Sequence, residues 1–326
     1  MKKLTALFFL TALLAGGLAG CRKPPAEYAG GAPEAAQSSV RHEESAAWPR
    51  TLTDALGHEV ILEKKPERIT LLHVFYLEHF LLLRNPPTAA ATGNILGEVE
   101  ALEQSEMYAP YLKDLEMINL GSVREINLEV ILESAPDVIV TFSAHNGLDR
   151  IYDQLVKIAP VVALTFSAPW QEQLLECAEI VGKEAEARNA ITEIEAAISA
   201  AKEIISQHSD RTLALFRTDG KMFMNQGPSK YYETFGITRP NGFSAAYKNV
   251  SLEAVAEMDP YYIVFQHNYK AAAAFVRGLS SSSVWQSIDA VKNGRIYYFD
   301  ENMNTYGPLA MRLGAEKLAN IYSGER

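Results

Sequence analysis

Two fourteen-residue stretches, 124 positions apart, repeat one another. The first is Asn127–Val140 (NLEVILESAPDVIV) and the second is Ser251–Val264 (SLEAVAEMDPYYIV). Leu, Glu, Glu, Pro, Ile and Val stand at matching places in both. Each copy predicts a short helix, a proline break and an apolar strand. A period this long exceeds solenoid spacing, so the chain is constrained to two lobes of similar build rather than an array. Two lobes leave a cleft between them, and clefts are where ligands sit.

The length of 326 residues supports two lobes with real cores. Hydrophobic content of 48% and charged content of 21% fit a globular protein in water. Net charge is −10; without Lys2 and Lys3, 28 basic against 40 acidic residues gives −12. That balance argues against nucleic acid, which needs a basic stripe to neutralise phosphates. The N-terminus is more specific. Met1-Lys2-Lys3 precedes an apolar run, Leu4 to Leu18, too short for a comfortable membrane span. It reads as a cleaved export signal over 1–20. Its ending, Leu18-Ala19-Gly20-Cys21, resembles the lipobox of bacterial lipoproteins. That resemblance makes Cys21 the lipidated (palmitate-bearing) mature N-terminus, on the extracytoplasmic face of the cell membrane. Residues 21–50, rich in Pro, Ala, Gly, Ser and Glu, form a flexible tether spanning on the order of 30 Å. With the Cys21 sulfur lipidated, Cys177 is the only free thiol of the mature chain, so no internal disulfide and no cysteine zinc site can form. It lies in a helical pattern and reads as a small buried hydrophobe.

Beyond the tether, strands at 68–72, 138–142 and 161–164 alternate with helices, which indicates a parallel α/β lobe over 51–167. Helices at 170–181, ended by Gly182, and at about 184–207 form a bridge over 168–208. The second has Ile191, Ile194, Ile198 and Ile205 on one stripe. A second α/β lobe, 209–326, begins with a strand at 212–216. Asp219-Gly220 turns that strand into Met222–Met224 as a hairpin. Strands at 262–265 and 295–299 follow, and an amphipathic helix over 309–321 closes the chain. The fold class is therefore α/β, with two Rossmann-like lobes joined by a long rigid helix.

The order of these parts resembles the substrate-binding lipoproteins of ABC importers for iron-siderophores, haem and cobalamin. The resemblance rests on the lipobox, the Pro66-Glu67-Arg68-Ile69 strand start, the Leu-Glu helices and Pro136-Asp137-Val138-Ile139-Val140. Trp285 and the run Ala290-Val291-Lys292-Asn293-Gly294-Arg295-Ile296-Tyr297 complete it. It implies the class III, helical-backbone binding-protein fold over 68–326, and a monomer that carries a ligand without transforming it. It further implies that Glu129 and Glu253 dock into arginine pockets on the two permease subunits. Charge-assisted pairing with arginine would set the docking orientation. Against this, an acid in the first turn of a helix is favoured by the dipole alone. That alternative does not explain why Leu-Glu recurs in both halves.

Ligands of two-lobed α/β proteins meet the loops beyond the strands' carboxyl ends. Those loops carry His73 and Tyr76, His145, Arg217 and His267, and nearby segments add Trp170, Tyr231 and Tyr306. A ferric siderophore brings its metal already enclosed, so the protein supplies aromatic surface and a few donors, with no metal ligands and no cofactor of its own. Arg217 suits that role, because a guanidinium stays charged when partly buried; the alternative is a surface arginine beside a hairpin. Haem is the rival ligand, with His267 in the place of an axial ligand and His73 or His145 opposite. An enzyme is not indicated: Gly-x-Ser-x-Gly, His-Glu-x-x-His, Cys-x-x-Cys and phosphate-loop patterns are all missing from the sequence.

Overall fold

The computed structural model describes residues 47–93, 102–113 and 115–324. The export signal, Cys21 and most of the 21–50 tether lie outside these residues. The end of the tether belongs to the fold instead. Arg50 opens strand β1 (Arg50–Thr53), which pairs antiparallel with β2 (Glu59–Leu62). Its guanidinium lies 5.1 Å over Trp48 and reaches Glu184 on the bridge at 2.5 Å. Composition marked this stretch as flexible, but a cation–aromatic contact and a strand pairing hold it.

Among the described residues, the rest of the chain builds two five-stranded sheets. The first contains β3 (Ile69–Leu71), β4 (Ala89–Ala90), β5 (Ile118–Asn119), β6 (Val138–Phe142) and β7 (Val161–Leu164). Its order is β5-β4-β3-β6-β7, all parallel. The second contains β8 (Leu213–Thr218), β9 (Phe223–Asn225), β10 (Lys248–Val250), β11 (Tyr262–Gln266) and β12 (Ile296–Phe299). Its order is β10-β9-β8-β11-β12, in which β9 runs antiparallel to both neighbours. The strands of the two sequence repeats, β6 and β11, take the same fourth place. Each is parallel to both neighbours and buried along its whole length, which is why both read as unbroken apolar runs.

The equivalence extends to the backbone. The repeat helices are Leu128–Glu133 and Leu252–Met258. One residue before the shared proline, Ala135 and Asp259 both take a positive φ, +44° and +37°. In each copy this left-handed residue, followed by a residue that cannot continue a helix, turns the chain into the central strand.

The bridge consists of helices Trp170–Val181 and Glu184–Ser206, separated at Gly182 in the left-handed conformation. At 1.5 Å per residue the second, 23 residues long, spans about 34 Å. The closing helix, Pro308–Ser323, packs along it and also against the first-lobe helix Leu77–Leu82. Two helices, not one, therefore brace the lobes. The described residues fall in one compact unit. One apolar core runs from Leu52 through Ile194 and Ile205 of the bridge to Tyr322. A smaller cluster containing Leu72, Ile139 and Val161 covers the other face of the first sheet, as strand alternation requires. Cys177 is fully buried in the larger core.

Polar ties cross between the lobes as well. Fully buried Glu78 accepts from Leu309 N at 2.8 Å and Ala310 N at 3.0 Å, capping the closing helix from the opposite lobe. Gly307 lies so close to this carboxylate that any Cβ would overlap it; its φ of −82° is ordinary, so space alone demands glycine. Asp300 accepts from Ser105 Oγ and from Met107 N at 3.2 Å, and Lys317 pairs with Glu106 at 2.7 Å.

Candidate ligand-binding cleft

Both sheets reverse their strand order between the third and fourth strands, β3/β6 in the first and β8/β11 in the second. A crevice opens at such a point beyond the carboxyl ends. In the first lobe, β3 leads into His73 and the 3₁₀ turn Val74–Tyr76. The ring of His73 is buried, and its Nδ1 accepts from Phe75 N at 3.2 Å. It thus caps the turn that presents half-buried Phe75. Burial, with His145 adding to it, pushes the His73 pKa down to about 4, so the ring is neutral and acts as an acceptor. His145 is also internally satisfied. Its Nε2 lies 3.0 Å from Val123 O, which can only accept, so Nε2 carries the proton. Nδ1 then accepts from Thr141 Oγ1 at 2.7 Å. The His145 ring stacks on Phe142 at 5.1 Å, and Phe142 on Phe166 at 4.9 Å. Phe75 lies 6.3 Å from Phe166, which is 46% exposed, so the two finish an aromatic shelf.

In the second lobe Arg217, on β8, binds Glu301 Oε1 at 2.5 Å. His267, directly after β11, places Nδ1 3.5 Å from Arg217 Nη2 and 3.6 Å from Glu301 Oε1. Burial lowers the His267 pKa; Glu301 opposes that shift and Arg217 adds to it. Glu301 opens the 3₁₀ turn Glu301–Thr305, capped by Asp300 and ended by Tyr306 at φ +54°.

A cavity of about 640 Å³ lies against these groups. Phe75 contributes from the first lobe. Arg217, Met224, Asn225 and Gln226 come from β8, β9 and the residue beyond it. Tyr247, Lys248 and Asn249 come from β10 and its approach, and Glu301, Asn304, Thr305 and Tyr306 from the turn after β12. The volume suits a compact ligand of drug size.

Of the residues singled out in sequence, Arg217 and Tyr306 line this cavity. His267 lines a second opening of about 570 Å³, with Thr218, Lys221 and Phe275. Trp170, Tyr231 and Tyr76 are core residues, contrary to the expectation that they reach the opening. Trp170 starts the bridge with its ring in the core. Tyr231 is 2% exposed, and its hydroxyl donates to Met303 O at 2.9 Å. Tyr76 is equally buried, against His79 and Phe142. All three sit on helices or turns whose inward face was not legible from their position near a strand end. Glu129 and Glu253 are exposed, each in the first turn of its repeat helix.

Sequence reading missed Phe166, Lys248, Asn249, Glu301, Asn304 and Thr305. Glu301 to Thr305 follow the carboxyl end of β12, so the rule applied to other strands would have found them. Lys248 and Asn249 lie on a three-residue edge strand with both side chains exposed, which leaves no periodic trace.

A family model described as periplasmic binding protein matches residues 71–303. Over 286 residues the chain is 27% identical to the probable siderophore-binding lipoprotein YfiY of Bacillus subtilis strain 168, covering 81% of this chain and 84% of that one. It is also 27% identical over 315 residues to the iron(3+)-hydroxamate-binding protein FhuD of the same organism, covering 92% and 90%. In structure it matches the triscatecholate siderophore binding protein FeuA of Bacillus subtilis, complexed with ferri-bacillibactin. That TM-score is 0.64 at 20% identity, over 84% of this chain and 98% of that one.

Proposed function

This chain belongs to the periplasmic binding protein family, and we propose that it is the substrate-binding component of an ABC importer, capturing a ferric siderophore and delivering it to the permease. The observation that carries the reading is the cleft of about 640 Å³, lined by aromatic rings and neutral amides and bordered by the Phe75–Phe166 shelf. A ferric siderophore encloses iron in its own oxygens. It therefore needs rings to rest on and donors for its periphery, which these side chains supply. The ligand is carried, not transformed.

Haem would need an imidazole nitrogen free at the cleft. His145 spends both nitrogens on internal hydrogen bonds, buried His73 spends its Nδ1 on Phe75 N, and the Nδ1 of His267 faces Arg217 and Glu301. Exposed Glu129 and Glu253, one on each repeat helix, suit arginine pockets on two permease subunits. In this reading Cys21 carries the lipid, and the tether lets a monomer swing between capture and delivery at the membrane.

Titrating the full chain with ferric siderophores and hemin, followed by tryptophan fluorescence and the haem absorption band, tests the proposal. Saturable quenching by a ferric siderophore is expected, with hemin weak. Tight hemin binding that disappears in His267→Ala would overturn it.

A further inference from the structure

The cleft's lining is close to charge balance, although it sits where a ligand's charge would have to be met. Among the described residues, three charged side chains line it: Arg217, Lys248 and Glu301. Two of these cancel, because Arg217 and Glu301 are in contact at 2.5 Å. Lys248, exposed on the edge strand β10, is then the one cation of the lining without a carboxylate beside it among the described residues. The remaining polar lining is uncharged: Asn249 and Asn304 bring amides and Thr305 a hydroxyl oxygen, while buried Asn225 and Gln226 have their amide nitrogens bonded to Ser244 O and Gln266 O.

From this balance we propose that the cleft selects electrically neutral ferric hydroxamates over anionic ferric catecholates and citrates. The inference rests on the ferric-siderophore reading above. Three hydroxamates, each a monoanion, cancel the charge of ferric iron and leave a complex edged with carbonyl and amide groups. Neutral side-chain donors match such an edge without ion pairing. Three catecholates are dianions and leave the complex trianionic. Placing that charge in a partly desolvated cleft requires several cations, and an unmet charge there is expensive. The one arginine already has a carboxylate partner, whose own charge would repel the ligand. His267 does not supply the missing cation, since burial disfavours its protonated form. The overall resemblance does not make this choice, because the hydroxamate-binding relative and the triscatecholate-binding structure both match.

The full chain is titrated with ferrichrome (neutral, tris-hydroxamate), ferric enterobactin (trianionic, tris-catecholate), ferric citrate (anionic) and hemin. Ferrichrome is expected to bind at least about tenfold more tightly than either anion. Glu301→Gln leaves Arg217 unpaired and should raise the affinity ratio of enterobactin to ferrichrome about tenfold, the scale of one unit charge at such distances. Asn304→Lys adds a cation without touching the ion pair and should move the ratio the same way. Enterobactin or citrate binding as tightly as ferrichrome would overturn the selectivity while leaving the siderophore reading intact. A ratio unmoved in both variants would overturn it equally. Hemin binding with none of the iron complexes would sink the siderophore reading, and the selectivity with it.

Discussion

Glu78 shows how much one side chain can commit to a fold of this kind. It leaves the first lobe, is fully buried, and caps a helix belonging to the second. Burial raises its pKa from the ordinary 4.5 to about 7, while the hydrogen bonds from the amides of Ala310 and Leu309 oppose the rise. A raised carboxylate pKa means that the folded state holds the proton longer than the unfolded state. Stability from this group is therefore fully present below about pH 4.5 and declines as pH rises toward 7, levelling off above that. The shift corresponds to roughly 3 kcal/mol. Glu78→Gln keeps a cap acceptor and removes the titration. Urea unfolding from about pH 4 to pH 8 should show wild type losing up to ~3 kcal/mol relative to the variant. A difference that stays flat across that range would show that the Glu78 pKa is the same in the folded and unfolded states, so that burial does not raise it.

At the scale of elements, the two repeat helices differ in length and cap but agree in geometry. Asn127 Oδ1 accepts from Glu129 N and Val130 N, and Ser251 Oγ accepts from Ala254 N. Each cap leaves the adjacent glutamate exposed in the first turn, its charge favoured by the helix dipole. That local benefit is about 0.3–1 kcal/mol, so replacing Glu129 and Glu253 by Ala should barely move stability. If these carboxylates dock to the permease, the double variant keeps its ligand affinity, and cells producing it with the permease lose most siderophore uptake. Uptake equal to wild type would remove the docking role and leave only the dipole explanation.

At the scale of the whole molecule, the joint between the lobes decides how the cleft can move. The core continues through the bridge into both lobes, and the helix Pro308–Ser323 packs against elements of each. Glu78, Asp300 and Lys317 add polar ties between sequence-distant segments. Opening a wide hinge would expose continuous core and break the Glu78 cap together. Closure on ligand should therefore be a few degrees. Small-angle scattering of free and ligand-saturated protein checks this, with near-superimposable profiles expected; a marked compaction would show that the bridge bends.

Periodicity and punctuation were enough to read the elements with strong local causes. The strands Val138–Phe142 and Val161–Leu164, the helix Trp170–Val181 with Gly182, and the Asp219-Gly220 hairpin all follow from neighbouring residues, because turns and buried strands write their requirements locally. The repeat likewise announced two similar lobes. The site was only partly legible, through Arg217 and Tyr306, because strand-end position says that a residue is near a cleft but not which way it faces. His145 turned inward to satisfy Thr141 and Val123, and Tyr231 crossed the core to Met303. The Arg217–Glu301 pair joins residues 84 apart, and Glu78 reaches residues more than 230 positions away. Partners that distant are chosen by packing, so the charge balance of the cleft and the rigidity of the joint could come only from the assembled molecule.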